Sequence, residues 1–236
     1  MSATSLRIAS YNIRKARGLD QRRRPERTLE VINGLGADIV VLQEADKRLG
    51  SRPPALPHAM IDTETDFALV ELSDNGTSLG WHGNAMLLRK EIGVERIARL
   101  DLPGTEPRGA LIVDLSVGGG LTVVATHLGL MRRDRRRQLK VLSDAVQDRR
   151  QSVIAGDFNE WSMEKGFEPL ERRFEIHSPG HSFHARRPMA SLDRFALSRD
   201  VELRDAGVEQ GRTARCASDH LPIWCDLVVP AGSTIC

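Results

Sequence analysis

Short apolar runs separated by turn-forming residues recur along the chain, with a few helical patterns between them. Leu6 to Ile13 reads as a strand. Pro25 can open a helix at its first turn, where its missing N–H costs nothing; Leu29, Ile32 and Leu35 fall on one face, and Gly34 and Gly36 close it. The apolar run from Asp38 to Gln43 follows and completes a β-α-β start. Further strands are expected at Phe67 to Leu72, Ala85 to Leu88, Gly93 to Leu100, Ala110 to Val117, Leu121 to Thr126, Val153 to Ala155, Leu192 to Leu197 and Ile223 to Val229. The GGG at 118–120 reads as a hairpin turn, and a hairpin beside a β-α-β unit implies a mixed sheet. Between Arg132 and Arg150, Leu139, Leu142, Ala145 and Val146 form one stripe among Arg and Asp, the signature of an amphipathic surface helix. The only proline-rich piece, Arg52 to Pro57, is short, and no repeat or linker interrupts the chain, so 1–236 reads as a single α/β domain.

Composition adds limits. With 40% apolar and 28% charged residues, the 236-residue chain has the make-up of a well-filled globular core. No signal-type apolar segment and no transmembrane stretch of roughly 18 apolar residues is present, so a cytoplasmic location is expected. The three cysteines, Cys216, Cys225 and Cys236, suggest neither a disulfide framework nor a zinc ribbon. A net charge of +2 excludes a uniformly basic nucleic-acid coat. Of the 34 basic residues 29 are arginine, clustered at Arg22 to Arg24, Arg132 to Arg137, Arg149/Arg150 and Arg186/Arg187; guanidinium forks suit phosphate oxygens.

The chemistry sits at strand ends. Asn12 follows RIASY, Glu44 follows DIVVLQ, His127 follows LTVVAT and Asp157 follows SVIAG. Ligands bind beyond the carboxyl ends of strands in α/β sheets, so separate strands would deliver these four side chains to one mouth. Glu, Asp and Asn are hard oxygen donors suited to Mg²⁺ or Mn²⁺, while isolated histidines without thiolates suit proton transfer or phosphate contact. Phosphoryl chemistry is the consequence.

Five blocks, IASYNIR, VVLQEAD, ATHLGL, AGDFNEW and SDHLP, with SLDRFALS between the last two, resemble in order and spacing the motifs of the endonuclease/exonuclease/phosphatase superfamily. The resemblance implies a four-layer α-β-β-α sandwich of two packed mixed β-sheets, and divalent-metal-dependent hydrolysis of phosphoesters with one or two ions. It implies that Glu44 binds the metal, with Asn12 as ligand or phosphate contact and Asp219 completing the metal side. Asp157 and Asn159 would hold the attacking water and the scissile phosphate, Asp157 being the favoured base. His220 would contact the phosphate while paired to Asp193, with His127 across the cleft.

Softer candidates follow the same resemblance. Asn84, in GNAML, is a phosphate-contact candidate, and Arg108 could face the cleft. Arg14, where relatives often have histidine, and Arg194, where an aromatic is frequent, are expected to line the substrate. His177, His181 and His184 are not expected to form a zinc site, since Pro179 and Gly180 break any helix that would align them. Trp81, Trp161 and Trp224 are expected in the core or cleft wall. The substrate expected is a nucleic-acid backbone, with Arg132 to Arg137 flanking the mouth. A phospholipid headgroup or inositol phosphate is the alternative, and a catalytically silent binding module, which would show a damaged site, is the third.

Overall fold

The computed structural model describes residues 3–46, 53–71 and 78–231. Leu72 and Arg52, at the ends of two expected segments, and the terminal Cys236 lie outside them. In chain order the strands are β1 (Thr4–Asn12), β2 (Ile39–Gln43), β3 (Phe67–Leu69), β4 (Ala85–Arg89), β5 (Val94–Leu102), β6 (Arg108–Leu115), β7 (Leu121–His127), β8 (Ser152–Asp157), β9 (Phe174–His177), β10 (Asp193–Ser198), β11 (Glu202–Val208) and β12 (Ile223–Val229). The helices are α1 (Pro25–Gly34), α2 (His58–Glu64), α3 (Arg132–Ala145) and α4 (Ala214–Ala217).

Two six-stranded sheets form, in the orders β11-β12-β1-β2-β4-β3 and β5-β6-β7-β8-β10-β9. Each is mixed: β1 and β2 are parallel in the first, β7 and β8 in the second, and the remaining pairs are antiparallel. Alternation along the strands divides the apolar residues into three cores. Leu6, Ile8, Val41, Val123, Val153 and Phe195 meet between the sheets. Ala9, Tyr11 and Val40 face the other way, under Leu29 and Ile32 of α1. Val124, Ile154 and Ala196 pack under Leu139 and Leu142 of α3. The four-layer sandwich expected from the motifs is the fold observed.

The differences have physical reasons. β11 is a half-exposed edge strand with a polar sequence, so it has no apolar run to announce it. α2 buries only Ile61 and α4 is a single turn, too little for a periodic stripe. β9 is four residues long at the other sheet's edge. α3 ends at Ala145 rather than running to Arg150, and Arg149 instead reaches Asp114 at 3.1 Å.

Candidate active site

The alternation that builds the inter-sheet core also aims the site. Counting by two from Leu6 and Ile8 reaches Asn12; from Val123 and Ala125, His127; from Val153 and Ala155, Asp157. Asp193 lies two residues before Phe195 on the same face. Register then sets these residues side by side: His127 pairs with Asp157 across β7–β8, and Asp193 with Asp157 across β8–β10. One row across three neighbouring strands thus carries a histidine and two carboxylates. Gly156 permits this approach, because a Cβ there would lie 1.8 Å from the Thr126 carbonyl oxygen.

Asp157 is the hub. Its Oδ2 accepts from Asn12 Nδ2 at 3.1 Å and lies 3.4 Å from His127 Nε2 and 3.7 Å from His220 Nε2. Its Oδ1 accepts the Asn159 backbone N–H at 2.9 Å, while the Asn159 side-chain amide donates to the Leu128 carbonyl at 2.9 Å. Burial pushes the Asp157 carboxyl up to about 6, with His220 pulling the other way and Asp193 adding to the rise. His220 Nδ1 meets Asp193 Oδ2 at 2.8 Å. Burial alone would depress the imidazole, but Asp193 and Asp157 reverse this and push it up to about 10, which favours the charged ring.

Glu44 and Asp219 sit on the first sheet's side of this cluster. Glu44 follows β2 at a φ of 53°, a left-handed conformation that a branchless carboxylate side chain does not relieve. Arg14, Lys15 and Ala16 follow β1 at φ values of 47°, 57° and 57°, costing about 1–2 kcal/mol each. This strained turn lays Lys15 Nζ on Glu44 Oε2 and Arg14 Nε on Asp219 Oδ2 at 3.2 Å, while the Arg14 N–H donates to Asn12 Oδ1. Glu44, Asp219 and the Asn12 amide oxygen are hard donors that each already attract a positive or N–H partner, so the set fits a divalent cation. Asp157, Asp193 and His220 also bring ligand atoms within 4.8 Å of one another. That trio suits proton handling instead, because a metal needs a free imidazole lone pair and both ring nitrogens of His220 face carboxylates.

Several expected residues are placed elsewhere. Arg194 has the opposite parity to Asp193; it is buried over the Phe167 ring and donates to the carbonyls of Glu160 and Ser162, so it braces a loop instead of lining substrate. Arg108 likewise continues the face of Ala110 and Ile112 towards α3, and pairs with Glu106 at 2.8 Å. Asn84 spends its amide hydrogens on the carbonyls of Trp81 and Gly109, bridging the two sheets. Within the arginine run, Arg135 is buried and pairs with Glu160 at 2.7 Å, which removes it from the surface. Of the two places expected for Trp161, the core is ruled out: the side chain is 64% exposed and its ring meets that of Phe183 at 6.3 Å.

Other contributors had no distinctive sequence signal. Ser182 Oγ donates to Asp193 Oδ2 at 2.5 Å, Ser218 Oγ donates to the Asn12 carbonyl at 2.7 Å, and the Phe183 ring stands 4.9 Å from the His220 ring. Serines and a lone Phe in loops are too common to single out. His177 lies on β9, whereas His181 binds Ser191 Oγ at 3.1 Å.

Two mixed sheets back to back, with acidic and imidazole groups gathered at one common edge, define the class as phosphoester hydrolases of the four-layer type. The sequence model of the Endonuclease/Exonuclease/phosphatase family matches residues 9–220, and the chain belongs to that family. It is 28% identical to YbhP of Escherichia coli K12, itself described as uncharacterized, over 94% of this chain and 96% of that protein. Among solved structures, D. rerio TDP2 complexed with single strand DNA product superposes with a TM-score of 0.71 at 19% identity, over 95% of this chain and 99% of that one. A mannosyl-6-phosphatase of Bacteroides thetaiotaomicron gives 0.76 at 15% identity, over 94% of this chain and 99% of that one.

Proposed function

We propose that the protein hydrolyses phosphodiesters by in-line attack of water, using the Asp157–His220–Asp193 cluster together with a divalent cation at Glu44, Asn12 and Asp219. The observation that carries this reading is the placing of His220 between the buried carboxylates of Asp193 and Asp157, 2.8 Å from one and 3.7 Å from the other. A Mg²⁺ or Mn²⁺ ion held there supplies charge neutralisation at the phosphate oxygens. Asp157, its Oδ1 fixed by the Asn159 N–H, orients the water through Oδ2 and takes its proton. His220 Nε2–H donates to a non-bridging phosphate oxygen as negative charge builds there, while Asp193 fixes the ring through Nδ1. His127, in the same row, is assigned the protonation of the departing alcohol oxygen; its Nε2 lies 3.4 Å from Asp157 Oδ2. The water oxygen gains the new bond to phosphorus, the bond to one alcohol breaks, and a phosphomonoester and an alcohol result.

A nucleic-acid backbone as substrate is supported by the exposed arginines of α3; a headgroup phosphoester is supported by the exposed apolar side chains of Leu130, Met131, Trp161 and Met189 beside the site strands. Duplex and single-stranded DNA, RNA, inositol phosphates and phospholipids, each with Mg²⁺ or Mn²⁺, form the test panel. Hydrolysis that is metal-dependent and falls about 10²–10³-fold in His220→Ala is expected. Turnover that survives both chelation and His220→Ala would reject the mechanism.

A further inference from the structure

The lip of the active-site mouth is apolar, and the chemistry above makes no use of it. Seven large hydrophobic side chains are exposed among the described residues; Val94 and Ile97 lie on the edge strand β5, and the other five occupy loops that leave or enter the site strands. Leu130 (65% exposed) and Met131 (60%) follow His127, Trp161 (64%) follows Asp157, and Met189 (65%) precedes Asp193, while Met163 (56%), in the Trp161 loop, rests its sulfur on Arg194 at 3.7 Å and is turned towards the back of the sheet. Because β7, β8 and β10 are neighbours and His127, Asp157 and Asp193 share one row, the three loops rise side by side from one sheet edge. The Trp161 ring meets Phe183 at 6.3 Å and Phe183 rests against His220, so the apolar ledge starts at the reacting centre and runs outward. Clustering of this kind marks a contact surface.

Cations flank the tips. Arg132 and Arg136 lean on Glu160 and Glu168, whereas Arg133 and Arg137 on the same helix, and Arg186 and Arg187 just before Met189, are exposed and have no ion pair among the described residues. Apolar tips with nearby guanidinium groups that have no ion pair among the described residues match an anionic bilayer: the tips enter the acyl boundary and the cations meet lipid phosphates. Stacked bases fit less well. The Trp161 and Phe183 rings stand 83° apart and offer no parallel faces to successive bases, and the remaining tips are aliphatic or thioether groups without a π face.

We infer that this lip docks on an anionic phospholipid surface, so that the phosphodiester delivered to Asp157 and His220 is that of a lipid headgroup. The inference rests on the hydrolytic reading above and adds its substrate class. It is tested by sedimentation with vesicles of phosphatidylcholine alone and of phosphatidylcholine mixed with phosphatidylglycerol, beside hydrolysis of the soluble diester bis(p-nitrophenyl) phosphate with Mg²⁺. The protein should bind the mixed vesicles and not the neutral ones. The variant Leu130→Glu/Met131→Glu/Met189→Glu should lose about tenfold or more of that binding while cleaving the soluble diester as before. Absence of binding to the mixed vesicles, or equal binding by the triple variant, overturns the inference. So does a triple variant that loses affinity for a single-stranded oligonucleotide and keeps it for vesicles, which would assign the lip to nucleic acid. Failure of the wild type to cleave the soluble diester would count against the hydrolytic reading and leave the vesicle result standing.

Discussion

His220 draws its charge from Asp193 and Asp157, and its pH response follows from that. Activity should rise with pH as Asp157 loses its proton, with an acid limb at or below about 6, and fall as His220 deprotonates near about 10. In Asp193→Asn the imidazole loses its largest positive influence, so the alkaline limb should move down towards the ordinary histidine range. A pH–rate profile checks both limbs; an unmoved alkaline limb would separate His220 from Asp193. The rate losses of His220→Ala and Asp193→Asn should also combine less than multiplicatively, because the two act as a unit. For the metal, Glu44→Gln should stay folded yet lose the rise in thermal midpoint that Mg²⁺ gives the wild type, a rise worth about 2.7 kcal/mol at a hundredfold excess over the dissociation constant. Equal Mg²⁺-induced shifts in the two proteins would remove Glu44 from the metal. At this scale the sequence was informative where a polar residue interrupts a buried run: Asn12, His127 and Asp157 stand at such interruptions and converge. Ser182 and Ser218 interrupt nothing and stay invisible until their partners are known.

Elements set how firmly the row is held. Gly156, with φ 151°, lies between Thr126 and Arg194 in register, and Gly156→Ala drives a methyl into the Thr126 carbonyl. Destabilisation of about 3 kcal/mol or more is expected in urea unfolding; a cost under about 1 kcal/mol, that of an ordinary glycine substitution, would mean that the strands can part to accept it. Arg135 joins α3 to both mouth loops through Glu160 and the Leu130 carbonyl, and Arg135→Ala leaves the buried Glu160 without its closest cation. A loss of about 3 kcal/mol is expected by the same measurement. Strands buried on both faces were easy to find from their apolar runs, but those runs conceal which face meets the other sheet. That is why Arg108 and Arg194, one residue out of phase with the site, were expected in the cleft and are found behind it. β9, β11, α2 and α4 bury too little apolar surface to leave a pattern.

In the whole molecule, the site belongs to neither sheet alone. Asn12 and Glu44 come from the first, His127, Asp157 and Asp193 from the second, and Asp219 and His220 from the turn that leads into β12. Activity and far-UV circular dichroism should therefore vanish together in urea, since no half of the fold retains a working set; activity lost well before secondary structure would show that the sheets separate first. The fold class was legible because the motif order carries it; the apolar lip was not, because an exposed Met or Trp in a loop resembles a core residue in sequence. One further property follows from the joining of β1 to β12 and from the hydrogen bond of Ser218 to Asn12. A ribosome must release nearly all of the described chain before His220 can meet Asp157, so a copy that ends before residue 220 cannot assemble the cluster at all.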